Sequence, residues 1–294
     1  MLKQGAHFKA ELILILVTIL AGFGWIFSKE ALTGLPPLFF MGMRFLVACF
    51  VLVLAGRKYF VRMRWRDIRP ALFVGGVMGL TMMFWVEGLS KTQELGVGAF
   101  IASLGVVLVP IVAKLLFKEQ PPNSIWVALP IAVIGLAFLA LDGGLKFEVG
   151  QLFFLATAVM SAFQFNLLSR QSTRMSVLVL TAIQLGVAGV FLLTISLLTE
   201  TVPHVLPTNV VGWFLASTLI ATSLRFLLQT YGQSLTPVSH AAVIMNLEPV
   251  WTALFASIWF AQLMSVGQVF GCFLIFVAML VSRWQQIKVI FKNH

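Results

Sequence analysis

Long apolar runs separated by short polar breaks extend along the whole sequence. Runs of roughly 20 residues, the length that an α-helix needs to cross a bilayer, predict transmembrane helices. Gly and Pro punctuate the breaks, as at 34–37 and 121–123, where they favour loops over continued helix. The ten predicted spans are residues 11–32, 37–56, 70–89, 97–117, 124–141, 149–169, 177–199, 209–230, 237–260 and 266–284.

The composition agrees with this pattern. Hydrophobic residues make up 60% of the chain and charged residues 10%, with a mean hydropathy of +1.00. Soluble domains carry about 25% charged residues, so this chain cannot cover a water-facing surface. The sequence therefore predicts an all-α membrane protein in the lipid bilayer and not a soluble enzyme.

The net charge of +10 indicates topology. In a soluble protein it would suggest nucleic acid as a partner, but here the charges lie between apolar runs. If the N-terminus is cytoplasmic, fifteen Lys and Arg fall in the inside segments and three in the outside segments. Positive residues concentrate in cytoplasmic loops of membrane proteins. We therefore expect a multi-pass protein of the cytoplasmic (inner) membrane with both termini cytoplasmic and no nucleic-acid partner.

The two cysteines, Cys49 and Cys272, each lie inside an apolar run. Neither has the spacing of a metal-ligand pair, and a disulfide framework would need cysteines in loops. We interpret both as small apolar packing residues.

An internal repeat divides the chain. Residues 99–106 resemble residues 242–249, which lie 143 positions later, and other weak matches share nearly the same offset. A repeat of five spans is odd-numbered, so the second copy must cross the membrane in the opposite sense. The prediction is two inverted five-helix repeats, residues 1–145 and 146–294. Inverted repeats are typical of secondary carriers, whose solute site lies near the midplane between the halves.

Glu248 is the most informative polar residue within a span. It lies about 12 residues into the ninth predicted span and directly precedes Pro249. A charged group at a helix centre costs at least ~2.5–3.5 kcal/mol on insertion scales, so Glu248 should face a cavity or a partner. Pro249 lacks a backbone N–H and clashes with the preceding turn, which predicts a local break. The alternatives are solute binding or proton coupling, and a purely structural carboxylate paired with Arg225.

Arg225 and Gln229 lie one turn apart in the eighth predicted span. Together they form a polar stripe that either binds a solute carboxylate or pairs with Glu248. In the ninth span, His240 and Trp251 fall on the helical face of Glu248 if the helix is continuous. His240 either contributes to proton coupling near neutral pH or caps the end of the span.

Four further side chains are candidates for lining a central cavity. For each of them, packing or hydrogen bonding between helices is the alternative. They are Trp25 in the first span, Arg44 in the second, Gln164 in the sixth and Gln184 in the seventh.

Short motifs in three spans give a family resemblance. The second span has Pro36-Pro37 followed by Met43-Arg44-Phe45-Leu46, and the ninth has Leu247-Glu248-Pro249-Val250. The eighth has Gln229-Thr230-Tyr231-Gly232-Gln233, while Gly22 and Lys29 keep the family spacing in the first. With these motifs the chain resembles the EamA-type members of the drug/metabolite transporter superfamily along nearly its whole length.

The resemblance implies ten spans, a central cavity, and export of amino acids, amines or related metabolites without a cofactor. Some relatives carry vitamin-like or nucleoside-like compounds, and some import them. Three positions depart from the family pattern. Ala21 replaces the usual Trp of the first span, Gln262 replaces an acidic residue that the first half keeps as Glu119, and Arg225 is an addition.

We therefore expect a carrier, monomeric or homodimeric, that exports a small polar or amphipathic metabolite by alternating access. Uptake of a vitamin-like or nucleoside-like compound is the alternative carrier function. A membrane-embedded enzyme would need clusters of acidic residues or His at a water interface, whereas the outside loops carry them only singly. A channel would need a ring of charge or a carbonyl filter, and the sequence shows neither.

Overall fold

A computed structural model gives the architecture of the chain. It describes residues 2–60, 65–91, 95–140, 149–201, 208–259, 264–282 and 284.

Every regular element in these ranges is helical, which confirms the predicted all-α class. A π-helical segment, Leu219–Leu224, connects α8 to α9 without a loop. The α-helices are α1 (Leu2–Ala31), α2 (Pro37–Phe60), α3 (Trp65–Ser90), α4 (Leu95–Phe117), α5 (Asn123–Ala140), α6 (Val149–Ser172), α7 (Val177–Thr199), α8 (Thr208–Thr218), α9 (Arg225–Leu235), α10 (Val238–Met245), α11 (Glu248–Trp259) and α12 (Val266–Ser282).

Most of these helices have the length and composition of membrane spans. Seven stretches of the described chain are long and apolar enough to cross a bilayer: Lys9–Ala31, Pro37–Phe60, Ile68–Gly88, Val149–Ser172, Val177–Thr199, Thr208–Leu235 and Val238–Trp259. Three shorter apolar helices, Ile101–Phe117, Asn123–Phe138 and Val266–Ser282, coincide with the fourth, fifth and tenth predicted spans. Large apolar side chains such as Phe50, Leu198 and Ile258 are exposed on the outside of the bundle, where they suit contact with lipid.

Helix packing pairs the two halves of the chain. The most extensive contacts join α2 to α7 and α5 to α12. In addition, α3 packs on α6 and α7, while α8 and the π segment pack on α1 and α2, and α9 packs on α1. Each of these contacts between a span of the first five and a span of the last five thus has a counterpart in which the two halves are interchanged. A two-fold relation between two repeats requires this pattern. The predicted boundary at 145/146 lies within residues 141–148, outside the described ranges.

Small residues permit the closest of these approaches. A β-carbon at Gly42 would lie 2.8 Å from the backbone nitrogen of Leu193, and one at Gly135 would lie 2.9 Å from the carbonyl oxygen of Gly271. Both positions face backbone atoms of the partner helix, so no side-chain rearrangement could make room. Small residues at such contacts are the usual means of close packing in membranes.

Glu200, just after α7, caps the N-terminus of α2. Its carboxylate oxygens accept hydrogen bonds from the backbone N–H groups of Leu38 (2.9 Å) and Phe39 (2.8 Å). The hydroxyl of Ser196 also donates to this carboxylate, at 2.7 Å. Because a helix N-terminus has unsatisfied N–H groups and a positive dipole end, a carboxylate there stabilises α2 and joins it to α7.

The apolar core consists of two main clusters. The first combines the N-terminal part of α1 with side chains from α4, α5, α10 and α12. The second combines the C-terminal end of α1 with side chains from α2 and α7. Trp251 packs against the first cluster and Trp85 against the second.

Candidate functional site

An ion pair joins the two charged residues of the eighth and ninth predicted spans. Arg225 Nη2 lies 3.2 Å from Glu248 Oε2, and the side chains are 16% and 24% exposed. The indole nitrogen of Trp25 donates a hydrogen bond of 3.2 Å to Glu248 Oε1. Each carboxylate oxygen therefore already accepts one hydrogen bond from the protein. Of the two roles that the sequence left open for Arg225, pairing with Glu248 is present in this structure.

Irregular helix geometry places both members of the pair. The π-helical segment Leu219–Leu224 ends directly before Arg225. The helix of the ninth span stops at Met245 and restarts at Glu248, so Pro249 falls in the first turn of α11, where its missing N–H costs nothing. The carboxylate thus lies at a helix N-terminus, whose dipole favours negative charge. Breaks of both kinds are common at functional sites in helices.

Arg44 links three helical segments beside the pair. Its guanidinium donates to the hydroxyl of Ser28 on α1 (2.9 Å), to the hydroxyl of Thr222, and to the carbonyl of Ala221 (3.3 Å), both in the π segment. Arg44 is only 8% exposed, and its partners Ser28 and Thr222 lie three residues along the chain from Trp25 and Arg225 respectively. The predicted cavity-lining residue is thus buried in a network of neutral acceptors.

Aromatic rings surround the pair. Trp25 meets Trp85 edge to face, with 4.9 Å between ring centroids. On α11, which begins at Glu248, Trp251 stacks with Phe255, which in turn stacks on Phe23 at 4.0 Å. Such rings provide large rigid apolar surfaces with a few N–H donors. The charged groups therefore lie between apolar walls.

Several polar atoms near the pair lack a protein partner. Arg225 Nε, Trp251 Nε1, Gln229 Oε1 and the side-chain amide of Asn246 are buried without a hydrogen bond to any residue in the described ranges. Buried polar groups are nearly always satisfied, so such a group indicates a bound water or ligand. Asn246 lies in the break between α10 and α11, two residues before Glu248.

The remaining sequence candidates lie in different surroundings. Gln184 on α7 is fully buried, and its amide nitrogen is 3.5 Å from the hydroxyl of Thr230, a contact between helices. Gln164 is half-buried on α6. His240 is buried on α10, and the helix that would place it on one face with Glu248 and Trp251 is interrupted at residues 246–247.

Sequence reasoning did not select Ser28, Trp85, Thr222 and Asn246 as site residues. Asn246 could have been selected from the sequence, since it belongs to the same Asn-Leu-Glu-Pro run as Glu248. Ser28 and Thr222 carry no signal of their own, because hydroxyl groups in spans usually bond to their own helix. Among the residues that the structure describes, no group of three His, Cys, Asp or Glu residues has the arrangement of a metal site.

Two ion-pair or hydrogen-bond contacts lie at helix ends away from the site. Arg170 at the end of α6 lies 2.9 Å from Glu119 just after α4, and its guanidinium covers the Phe117 ring at 4.2 Å. At the ends of α1 and α11, the indole nitrogen of Trp259 donates to Glu30 at 3.2 Å. The two contacts join equivalent helices of the two halves.

Comparison with known proteins identifies the family. The model of the EamA-like transporter family matches the chain twice, at residues 8–141 and 148–284. An uncharacterized transporter of Archaeoglobus fulgidus is 30% identical over 274 residues, covering 92% of this chain and 85% of its own. The uncharacterized transporter YvbV of Bacillus subtilis is 25% identical over 202 residues, covering 68% of this chain and 66% of its own.

A solved crystal structure shows the same fold. It is 19% identical in sequence, with a TM-score of 0.81, and the match covers 96% of this chain and 98% of the other. The two family matches span nearly all of the sequence, one in each half. The chain belongs to the EamA-like transporter family and is a membrane transporter.

Proposed function

We propose that this transporter is a secondary carrier that exports a small polar or amphipathic metabolite across the cytoplasmic membrane by alternating access. The observation that carries the proposal is the Arg225–Glu248 pair, held at two helix breaks between the halves of the bundle. Charged groups within spans are costly, and they mark substrate pathways in transporters. Discontinuous helices at the interface of two repeats are the usual construction of a carrier's solute site.

The contacts at the helix ends support alternation. With ten crossings, the ends of α4 and α6 fall on one membrane face and the ends of α1 and α11 on the other. The side chains of Arg170 and Glu119 are 35% and 40% exposed, so their ion pair contributes little, about 0–1 kcal/mol for such pairs. Contacts of this strength can close a passage and still separate during each transport cycle.

The topology follows from the charge distribution. With both termini cytoplasmic, the Arg170–Glu119 contact closes the cytoplasmic side and the Trp259–Glu30 contact closes the outer side. Export then requires that solute enter after the first contact opens and leave after the second opens. No catalytic role is assigned to any residue in this proposal.

Counterflow in proteoliposomes tests the carrier function. Vesicles loaded with one unlabelled solute are diluted into a trace of the same labelled solute, using phenylalanine, lysine, putrescine, 3-phenylpropanoate and uridine in turn. A carrier exchanges the two pools, so at least one label should accumulate transiently and saturably. Glu248→Gln should change this exchange, whereas Glu87→Gln, a matched variant outside the site, should not. Absence of protein-dependent exchange for all five, or flux that never saturates, would overturn the proposal.

A further inference from the structure

Three charged residues lie together between the halves of the bundle. They are Arg44, Arg225 and Glu248. Glu248 forms an ion pair with Arg225. The hydrogen-bond partners described for Arg44 are neutral: two hydroxyls and a carbonyl. The group as a whole therefore has a net charge of +1. Because salt screens buried charges much less than exposed ones, this charge acts on anything that enters the site.

The hydrogen-bonding groups show the same imbalance. Both oxygens of Glu248 already accept, one from Trp25 and one from Arg225. By contrast, Arg225 Nε and Trp251 Nε1 are buried donors with no acceptor in the described part of the chain, and the other unpartnered groups near them, Gln229 Oε1 and the Asn246 amide, are neutral. Trp251 follows Glu248 by three positions on α11, which places both side chains on one face of that helix. Two donors are thus left over beside a carboxylate whose oxygens are engaged.

We propose that the site binds an amphipathic organic monoanion, a carboxylate attached to an apolar ring or hydrocarbon body. The carboxylate accepts hydrogen bonds from Arg225 and Trp251, and the apolar body lies against Trp25, Trp85 and Phe255. A guanidinium fork suits this role because it can bind a carboxylate and still contact a second acceptor. This inference rests on the proposed carrier function, since it names the class of solute carried.

A cation or a zwitterion fits the same site less well. The unpartnered acceptors, Gln229 Oε1 and Asn246 Oδ1, are neutral, so an ammonium group would meet no opposite charge unless it shared Glu248 with Arg225. It would also add positive charge beside Arg44. A monoanion neutralises the net charge and leaves the existing bonds of Glu248 in place. The anion should bind about tenfold or more tightly than the cation, because the attraction of one pair of opposite charges suffices for such a difference in affinity.

A series of ligands with one ring and three charges tests the proposal. Binding of 3-phenylpropanoate, phenylalanine and 2-phenylethylamine to the purified full-length protein is measured by calorimetry and by thermal shift. The expected order of affinity is anion, then zwitterion, then amine. Tighter binding of the amine or the zwitterion overturns the proposal, as does absence of binding by 3-phenylpropanoate at millimolar concentration.

Two variants separate the charge from the fold. Glu248→Gln removes the negative charge that competes for Arg225, so 3-phenylpropanoate should bind equally or more tightly. The double variant Arg225→Gln, Glu248→Gln removes both charges of the pair, keeps Arg44, and should bind the anion about tenfold less tightly than Glu248→Gln alone. Equal affinity in these two proteins overturns the proposal.

Counterflow keeps this inference distinct from the carrier function. If phenylalanine or putrescine exchanges while 3-phenylpropanoate neither binds nor exchanges, the solute class is wrong and the carrier function stands. If 3-phenylpropanoate binds through Arg225 but no solute exchanges, the site is supported and the carrier function is wrong.

Discussion

Arg44→Met removes a guanidinium that is 8% exposed and joins α1, α2 and the π segment. The substitution loses three hydrogen bonds between helices, about 2 kcal/mol in total, since such bonds average about 0.6 kcal/mol each in membrane proteins. It also removes a charge whose insertion costs about 2.5–3.5 kcal/mol. The two effects nearly cancel, so the free energy of unfolding should change by less than about 2 kcal/mol.

Arg44→Lys should be the more damaging change, although it conserves charge. A lysine ammonium keeps the cost of a buried charge but cannot reach Ser28, Thr222 and the carbonyl of Ala221 together, because it lacks the planar fork. Loss of two of the three bonds should lower the free energy of unfolding by about 1 kcal/mol.

Reversible unfolding by SDS in mixed micelles, followed by circular dichroism, measures both variants. The expected order of stability is Arg44→Met equal to or above Arg44→Lys. If the lysine variant matches the native protein and the methionine variant loses more than about 3 kcal/mol, the charge of Arg44 is itself stabilising and the reasoning fails.

Three other variants have definite expected outcomes. Gly42→Ala should lower the melting temperature in detergent, with a cost of about 1–3 kcal/mol, because its β-carbon meets the backbone of α7, whereas Gly76→Ala, with open space around it, should not. Pro249→Ala should allow α10 and α11 to join into one helix, because alanine restores the missing backbone N–H. The melting temperature should then stay equal or rise, and counterflow should slow. Unchanged counterflow would show that transport does not need the break. Glu200→Gln should weaken the cap on α2 and lower the free energy of unfolding by about 1 kcal/mol. No change would show that water, and not Glu200, satisfies the N–H groups at the start of α2.

Much of the architecture could be predicted because bilayer physics leaves few choices. Span length and apolar composition locate the helices to within a few residues, and Pro37 and Asn123 begin α2 and α5 close to the predicted positions. Helices extend beyond the predicted spans where charged residues follow, as at Arg57, because a helix continues past the hydrocarbon region. Hydropathy records contact with lipid, not the end of the hydrogen-bonded helix.

The site was predictable only in part. Glu248 and Arg225 stand out because charge within a span is costly, and Pro249 signals the break beside them. The contacts of Arg44 and Thr222 depend on the π segment, which no residue pattern marks. The break at 246–247 also invalidates helical periodicity between His240 and Glu248, so those two could not be placed together from spacing alone.

If one site opens alternately to the two sides of the membrane, position 85, beside Trp25, should be accessible to water from each side in turn. Trp85→Cys is introduced after Cys49 and Cys272, the free cysteines of the chain, are replaced by alanine. A membrane-impermeant maleimide is then applied separately to right-side-out and inside-out vesicles. Alternating access predicts that the maleimide labels position 85 from both sides. Arg170→Gln should increase the labelling from the cytoplasmic side. Labelling confined to one side in both backgrounds would contradict it.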